Sequence, residues 1–374
     1  MQFRDLKAQY QNLKDEIDAG IEAVIESSAF ILGKPVTELE NKLAEYVGRK
    51  HCIACGNGTD ALQLALMIWG IGPGDAVFTS DFTYFASAGT SSILGATPIL
   101  VDIDLDTFNM DPENLEERIK QVLDEGKLTP KVIIPVDLFG QPADYDRILP
   151  IAEKYGLKVL EDGAQGFGGN IRGKLACSFG DMSTTSFFPA KPLGCYGDGG
   201  AVFTDDDETD ARLRSIRAQG KSPVDKYDNR EIGMNSRLDT IQAAILLPKF
   251  KAFAEYELDA VNKVADWYTK RLKGKVITPT VKDGFYSSWA QYTILLEDSK
   301  ARDLMQAKLK ERGIPSMVYY PRGIHQQEAY RWMGLSDLMY PNTVNATKRC
   351  LSLPMHPYLK EEEVEMICRV MFGE

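Results

Sequence analysis

Hydrophobic residues follow two alternating patterns along the first 250 residues of the chain. Short runs of apolar and β-branched residues predict strands at 52–55, 77–79, 98–101, 132–136, 159–161, 183–187 and 201–204. Longer stretches with apolar residues at helical spacing predict helices at 36–47, 60–69, 83–94, 112–124, 144–155 and 208–218. This alternation predicts an α/β fold, in which a doubly wound, mostly parallel central sheet is flanked by helices. Ligands of such sheets bind beyond the carboxyl ends of the strands.

The pattern changes from residue 251 onwards. A long helical stretch reaches residue 272, and the elements predicted after it are a strand at 289–296, a helix at 301–312, a strand at 314–318 and a helix at 361–371. We therefore expect a large domain at 1–250, which includes an N-terminal arm, and a smaller C-terminal α+β domain at 251–374.

The composition argues against several classes of protein. The 374 residues carry a formal net charge of −11, so we expect neither nucleic acid nor a membrane surface as a partner, because both need basic faces. The longest apolar stretches are strand-sized and the N-terminus lacks a hydrophobic leader, which predicts neither membrane insertion nor export. Six scattered cysteines fit a reducing cytoplasm.

One pair of cysteines, Cys52 and Cys55, is closely spaced. The pair could be half of a metal or redox site, or it could lie inside a buried strand. There is no second such pair, and His51 is adjacent rather than suitably spaced. These facts favour the buried strand, and we expect no metal.

Lys191 is the residue that most clearly indicates the chemistry of the protein. It lies in an aromatic and glycine-rich turn at 186–200, and an earlier apolar run ends at Asp162. A crowded lysine has a lowered pKa and can form a Schiff base with the aldehyde of pyridoxal phosphate (PLP). A carboxylate at a strand end can keep the pyridine nitrogen of PLP protonated. We predict Lys191 and Asp162 as catalytic residues; an exposed loop lysine and a helix-capping aspartate are the alternatives.

Other segments could complete a PLP site. The turn at 56–62 joins a strand to a helix, where small residues and a helix N-terminus favour a phosphate, although a plain capped turn has the same pattern. Tyr84 follows a strand and could stack on a flat ring or belong to the core. Gln165 could bind the ring hydroxyl, and Ser186 could bind the phosphate.

Two segments could contact a substrate. Asn235 and Arg237 precede an apolar helix, either as an ordinary helix start or as donors to an anion. Tyr320 and His325 lie in a proline-bent loop, where a substrate contact and simple loop packing are equally compatible with the sequence.

Seven segments, taken in this order, resemble the DegT/StrS family of nucleotide-sugar aminotransferases, which are PLP enzymes of fold type I. The resemblance covers essentially the whole chain, and it rests on residues 30–40, 56–62, 140–144, 161–162, 186–191, 235–239 and 353–358. Within the family, the sequence most resembles UDP-2-acetamido-3-oxo-glucuronate aminotransferases of bacterial surface-polysaccharide pathways.

The resemblance implies a role for each residue of the site. Lys191 would form the Schiff base, with Asp162 at the ring nitrogen and Gln165 at the ring hydroxyl. Tyr84 would stack on the ring. The phosphate would be held by Gly58, Thr59, Asp60 and Ser186. Asn235 would reach the phosphate in the partner subunit, so we expect a homodimer with shared active sites.

The resemblance also implies substrate contacts for Arg237, Tyr319, Tyr320 and His325. Tyr319 stands where many relatives carry a histidine, a departure that could alter the choice of sugar. The expected reaction moves an amino group from L-glutamate to a nucleotide-linked keto sugar. The alternatives are an aminotransferase for a dTDP-3- or 4-keto-6-deoxyhexose, a sugar dehydratase that uses pyridoxamine phosphate (PMP) and carries histidine in place of Lys191, or a non-catalytic regulator.

Overall fold

The structure is a computed structural model that describes residues 1–222, 224–225 and 227–373. Its helices are α1 (Leu6–Ser27), α2 (Lys34–Val47), α3 (Gly58–Ile68), α4 (Ala86–Ile93), α5 (Pro112–Glu125), α6 (Tyr145–Tyr155), α7 (Asp207–Ile216), α8 (Thr240–Ala252), α9 (Leu258–Leu272), α10 (Ser299–Glu311), α11 (Pro341–Arg349) and α12 (Glu361–Phe372). Its strands are β1 (His51–Cys55), β2 (Asp75–Ser80), β3 (Thr97–Val101), β4 (Thr129–Ile134), β5 (Lys158–Asp162), β6 (Asn170–Ile171), β7 (Lys174–Leu175), β8 (Met182–Ser186), β9 (Gly200–Thr204), β10 (Phe285–Tyr286), β11 (Tyr292–Leu295) and β12 (Cys350–Leu353).

The central sheet has seven strands in the order β1-β9-β8-β5-β4-β2-β3. The five strands from β3 to β8 are parallel, and β9 runs antiparallel to both of its neighbours. The predicted α/β class, with a mostly parallel sheet and flanking helices, is confirmed. Because β2, β4, β5 and β8 point the same way, the turns that follow them meet at one edge of the sheet.

The sheet is buried on both faces. Nearly every residue of β1, β2, β5, β8 and β9 is buried, as is usual for strands that helices cover on both faces of a sheet. The predicted pair Cys52 and Cys55 lies inside β1, and both thiols are buried and unpaired. Among the described residues, no group of His, Cys, Asp and Glu side chains is arranged to hold a metal ion.

Several elements differ from the sequence prediction. The N-terminal arm forms the long helix α1, and the predicted helix at 83–94 begins only at Ala86. The predicted strand at 314–318 is reduced to one bridge between Met317 and Ser352. Pro315 lies in this segment and has no N–H to donate to a ladder.

The chain continues from the large sheet into the C-terminal part without a break in helical structure. Helix α8 passes through a π-helical turn, Phe253–Glu257, directly into α9. Buried apolar side chains between Val261 and Met371 form a hydrophobic cluster around β11 and β12. A domain boundary near residue 250 stays a prediction. No helix in the described parts of the chain has the length and apolar character needed to cross a membrane.

Candidate active site

Asp162 ends β5 at the carboxyl edge of the sheet. It is buried, with 5% of its surface exposed. Its Oδ2 accepts a hydrogen bond from the hydroxyl of Ser87 at 2.8 Å, and its Oδ1 accepts one from the N–H of Ala164 at 3.2 Å. Burial raises the pKa of Asp162, while Ser87 and the positive charge of Lys191 oppose that rise. Both donors hold this carboxylate in one orientation.

Lys191 lies in the turn that follows β8, within electrostatic range of Asp162. Its backbone N–H donates to the carbonyl of Phe188 at 2.9 Å, which closes the turn. Burial lowers the pKa of Lys191 to about 8; Asp162 raises it, and the guanidinium of Arg4 lowers it further. A lysine in this state has an appreciable neutral fraction near neutral pH, as a nucleophile or base requires.

The start of α3 and the end of β8 approach each other very closely. A Cβ atom on Gly58 would lie 2.7 Å from the Cβ of Ser186 and 3.1 Å from its hydroxyl. The first helical turn leaves the N–H groups of Gly58 and Thr59 without partners inside the helix. Together with the Ser186 hydroxyl, these donors form a cradle for an anion. The N–H of Asp60 is already bonded to the side chain of Asn57 at 2.8 Å, so Asp60 has no such donor to offer.

Gln165 is buried and has a fixed orientation. Its Oε1 accepts from the N–H of Phe139 at 2.9 Å, and its Nε2 donates to the hydroxyl of Tyr320 at 3.0 Å. One N–H of the amide is left for another acceptor. Tyr320, predicted as a substrate residue, is thereby linked to a predicted cofactor residue. Burial raises the pKa of Tyr320, so its hydroxyl stays protonated.

Tyr84 follows β2 at the same edge and exposes 59% of its surface. An exposed ring beside a polar site is available to stack on a flat ligand. Tyr319 is half-buried, and its ring meets Phe3 edge-on at 6.2 Å. Asn235 is exposed, and Arg237 is half-buried with no side-chain partner among the described residues. The neighbouring Ser236 accepts a hydrogen bond from the N–H of Gly56 at 2.9 Å.

His325 occupies a different environment from the one expected of a substrate residue. Its Nδ1 contacts Asp81 at 2.6 Å, its Nε2 contacts Asp337 at 3.0 Å, and its ring stacks on Tyr340. Burial lowers the pKa of His325, but the two carboxylates more than offset it, so the pKa lies above its usual value. Both ring nitrogens are occupied, and the residue ties the 319–340 segment to the end of β2.

A second pair of carboxyl groups lies behind Asp162. Asp137 accepts from the hydroxyl of Tyr145 at 2.9 Å, and Glu161 accepts the N–H groups of Cys177 at 2.5 Å and Phe179 at 2.6 Å. Burial raises the pKa of Asp137 to about 7 and raises that of Glu161. The neighbouring carboxyl group of Asp137 adds to the effect of burial on Glu161, so Glu161 keeps its proton to a higher pH than an exposed glutamate does.

Three contributors to the site went unrecognised in the sequence. Ser87 lies on α4, in a run of small residues that carries no signal for a carboxylate partner. Arg4 precedes α1, and its guanidinium donates to the carbonyl of Pro192 at 3.2 Å. Asp81 follows β2 directly, a position that could have marked it as a residue at the sheet edge.

The residues present fit PLP. Gly58, Thr59 and Ser186 would hold its phosphate. Ser186 lies so close to Gly58 that position 58 has room only for a glycine. Asp162 would meet the ring nitrogen, Gln165 has one free donor for the ring hydroxyl, and Lys191 offers the amine. The fold and this edge of the sheet place the chain among the PLP-dependent transferases of fold type I.

The chain belongs to the DegT/DnrJ/EryC1/StrS aminotransferase family, whose model matches residues 11–372. It is 47% identical to the UDP-2-acetamido-2-deoxy-3-oxo-D-glucuronate aminotransferase of Pseudomonas aeruginosa, over 99% of both chains. It is also 44% identical to a protein of Geobacillus stearothermophilus named pleiotropic regulatory protein, over 97% of this chain and 95% of the relative.

Solved structures agree with this membership. A DegT/DnrJ/EryC1/StrS aminotransferase from Brucella abortus superposes with a TM-score of 0.96 at 47% identity, over 100% of this chain and 99% of that one. NtdA from Bacillus subtilis, solved with PMP bound, superposes with a TM-score of 0.86 at 30% identity, over 97% and 82%. The predictions of a PLP cofactor and of a PLP-dependent sugar aminotransferase are confirmed.

Proposed function

We propose that this aminotransferase moves an amino group from L-glutamate to the keto group of a nucleotide sugar of the UDP-2-acetamido-3-oxo-glucuronate type. The reaction would serve bacterial surface-polysaccharide biosynthesis in the cytoplasm. The observation that carries the reaction is the half-buried Lys191 beside the buried carboxylate of Asp162. The full-length identity with the Pseudomonas aeruginosa enzyme supports the choice of sugar.

Lys191 is the proton carrier. PLP, when bound, withdraws electrons from the carbon that bears the amino group, so that its C–H becomes acidic. With a pKa lowered to about 8 by burial, the Nζ of Lys191 can accept that proton near neutral pH and return it as an acid. In the first half-reaction glutamate would leave as 2-oxoglutarate and its amino group would stay on the cofactor; in the second the keto sugar would take that amino group by the reverse route.

Asp162 would hold a proton on the ring nitrogen of the bound cofactor by offering it a fixed negative charge. The hydroxyl of Ser87 and the N–H of Ala164 orient the carboxylate, so it does not need to rearrange during the reaction. Buried carboxylates interact more strongly with a cation than exposed ones do.

We further propose a homodimer in which Asn235 contacts the cofactor phosphate of the partner subunit. Asn235 is exposed, which suits a residue that acts across an interface. Large exposed apolar side chains at Phe30, Ile31 and Leu32 lie beside this segment, where Ile31 bridges Asp239. Apolar patches of this kind mark interfaces between subunits.

Two experiments test these proposals. Glutamate should bleach the absorbance band of the PLP enzyme and 2-oxoglutarate should restore it, whereas a dehydratase or a regulator should show no such cycle. Lys191→Ala should keep the cofactor but lose turnover, while Lys42→Ala, an exposed control, should behave as wild type. Steady-state turnover in Lys191→Ala would refute the assignment.

The shared site is tested by complementation. Lys191→Ala and Asn235→Ala homodimers should both be impaired, but a mixed dimer contains one site with both native residues. Subunit exchange between the two variants should therefore restore part of the activity. If exchanged subunits stay as impaired as the separate homodimers, Asn235 acts within its own subunit.

The sugar is tested with a panel of nucleotide-linked keto sugars offered to the PMP form. A UDP-linked 3-oxo-uronate should react fastest. Preference for a dTDP-linked 6-deoxyhexose would select the alternative aminotransferase.

A further inference from the structure

Arg4 is fixed beside the catalytic lysine by its neighbours on both sides. Its guanidinium donates to the carbonyl of Pro192, the residue after Lys191, at 3.2 Å. The carbonyl of Phe3 accepts from the N–H of Met355 at 3.0 Å, and Asp5 caps α1 through the N–H of Ala8 at 2.8 Å. The segment before α1 is therefore anchored to both the lysine turn and the C-terminal part of the chain.

The guanidinium has no carboxylate partner in the described parts of the chain. The carboxylate that raises its pKa electrostatically is Glu257. That carboxylate is already bonded to Gln9 at 2.9 and 3.0 Å and to the hydroxyl of Tyr358 at 2.5 Å. The other charged or titratable groups that interact with Arg4 are Lys191, Lys249 and His356, and none is an anion.

Arg4 is half-buried and carries a positive charge, so a bound anion would stabilise it. Burial lowers the pKa of Arg4 to about 10, yet the side chain remains positively charged at neutral pH. Its planar fork has five N–H donors, of which the carbonyl of Pro192 takes one. The remaining donors match the two oxygens of a carboxylate.

We infer that Arg4 binds a carboxylate of a substrate and so places the reacting carbon near Lys191. This inference rests on the proposed function, because L-glutamate and a uronate sugar both carry carboxylates. The two half-reactions use the same lysine, so either carboxylate could be the one bound, and the experiment separates them.

The variants are Arg4→Gln, which removes the charge, and Arg4→Lys, which keeps the charge but loses the fork. Lys7→Gln is the matched control, since it removes one positive charge from an exposed position on the same N-terminal segment. Each variant is compared with wild type by circular dichroism and by its urea midpoint, so that a folding defect is recognised.

Both half-reactions are read from the absorbance of the bound cofactor. In one arm the PLP form is titrated with glutamate. In the other it is titrated, in the reverse direction, with a UDP-linked 3-amino sugar that carries either a carboxylate or a hydroxymethyl group at carbon 6. Glutarate, an unreactive dicarboxylate, serves as a competing probe that reports binding without turnover.

For the substrate whose carboxylate Arg4 binds, Arg4→Gln should raise the half-saturating concentration about 10- to 100-fold, the usual effect of losing a hydrogen-bonded charge pair. Arg4→Lys should lie between Arg4→Gln and wild type. Loss of competition by glutarate together with a defect in the glutamate arm identifies glutamate. A defect confined to the carboxylated sugar identifies the uronate.

Equal behaviour of Arg4→Gln and wild type in both arms would overturn the inference. So would an equal defect for the carboxylated and hydroxymethyl sugars without any in the glutamate arm. A third contrary result is a shifted pH profile with unchanged half-saturation, since Arg4 would then only lower the pKa of Lys191. Failure of the proposed function is a separate outcome, because the wild-type enzyme itself would then not bleach with glutamate.

Discussion

Replacing Gly58 with alanine should weaken the binding of PLP through its phosphate. The new Cβ would lie 2.7 Å from the Cβ of Ser186 and 3.3 Å from its Cα. Neither side can yield easily. Gly58 begins α3, and Ser186 ends the buried strand β8, where it pairs with Gly200 of β9.

The size of the effect follows from the overlap. Carbon atoms in contact normally lie about 3.5–4.0 Å apart, so the cradle must widen by roughly 1 Å. Forcing an extra methyl group into a packed site costs about 1–3 kcal/mol. If the strain is relieved when the cradle opens, the dissociation constant of PLP rises roughly 5- to 150-fold, at 1.4 kcal/mol per tenfold.

The assay is a titration of the apoenzyme with PLP and, separately, with pyridoxal, which lacks the phosphate. Gly58→Ala should weaken PLP but leave pyridoxal nearly unchanged. Gly72→Ala is the control, because the nearest atom to a Cβ there is 3.8 Å away. A urea midpoint of the apoenzyme shows whether the strain appears as lost stability. Equal weakening of both ligands, or none, would refute the phosphate cradle.

Two further predictions concern the carboxyl groups. Ser87→Ala removes the 2.8 Å hydrogen bond to Asp162 and should slow the glutamate half-reaction about tenfold, the effect of losing one hydrogen bond to a charged group. Ser91→Ala, on the same helix, is the control and should not slow it. Equal rates in the two variants would contradict the role of Ser87. Asp137→Asn should change how stability depends on pH, because burial raises the pKa of Asp137 to about 7. When folding raises the pKa of a carboxyl group, the folded protein loses stability as the pH rises from the group's unfolded-state pKa to its folded-state pKa. For Asp137 this loss is at most about 4 kcal/mol, at 1.36 kcal/mol per pKa unit. Urea unfolding of the apoenzyme should show the variant gaining on wild type between pH 4 and 7 and no further above it; parallel curves would show that Asp137 is not the titrating group.

The parts of the site that could be predicted are those with a local signal. Asp162 ends an apolar run and Lys191 lies in a turn crowded with aromatic residues, so each marks itself without knowledge of the fold. The parallel order of the strands then follows from their alternation with helices, and it brings both residues to one edge. The proximity of Asp162 and Lys191 therefore follows from the sheet topology, which the alternation of strands and helices in the sequence already predicts.

The missed contacts depend on distant parts of the chain. Ser87 reaches Asp162 across 75 residues, and Arg4 reaches Pro192 across 188. The sequence leaves a substrate contact and loop packing equally open for His325; in the structure two carboxylates from separate segments, Asp81 and Asp337, contact its ring nitrogens. A single sequence shows which residue types are present but not which of them meet, and polar side chains take their roles from the partners they meet.

Lys191 and Asp162, the proposed catalytic residues, form a pair whose charges depend on each other. Burial drives the pKa of Lys191 down and that of Asp162 up, and their mutual attraction opposes both shifts. A cation that pairs with the Asp162 carboxylate, as a protonated ring nitrogen would, removes much of the attraction between Asp162 and Lys191 that keeps Lys191 protonated. When the amine of Lys191 is free beside the bound cofactor, its pKa should therefore lie lower than in the apoenzyme, which suits its proposed role as a base. The cationic Arg4 acts in the same direction, and a substrate carboxylate bound to it would partly reverse that effect. The basicity of Lys191 therefore depends, at each stage, on whether a cation is paired with Asp162 and whether a carboxylate is bound to Arg4.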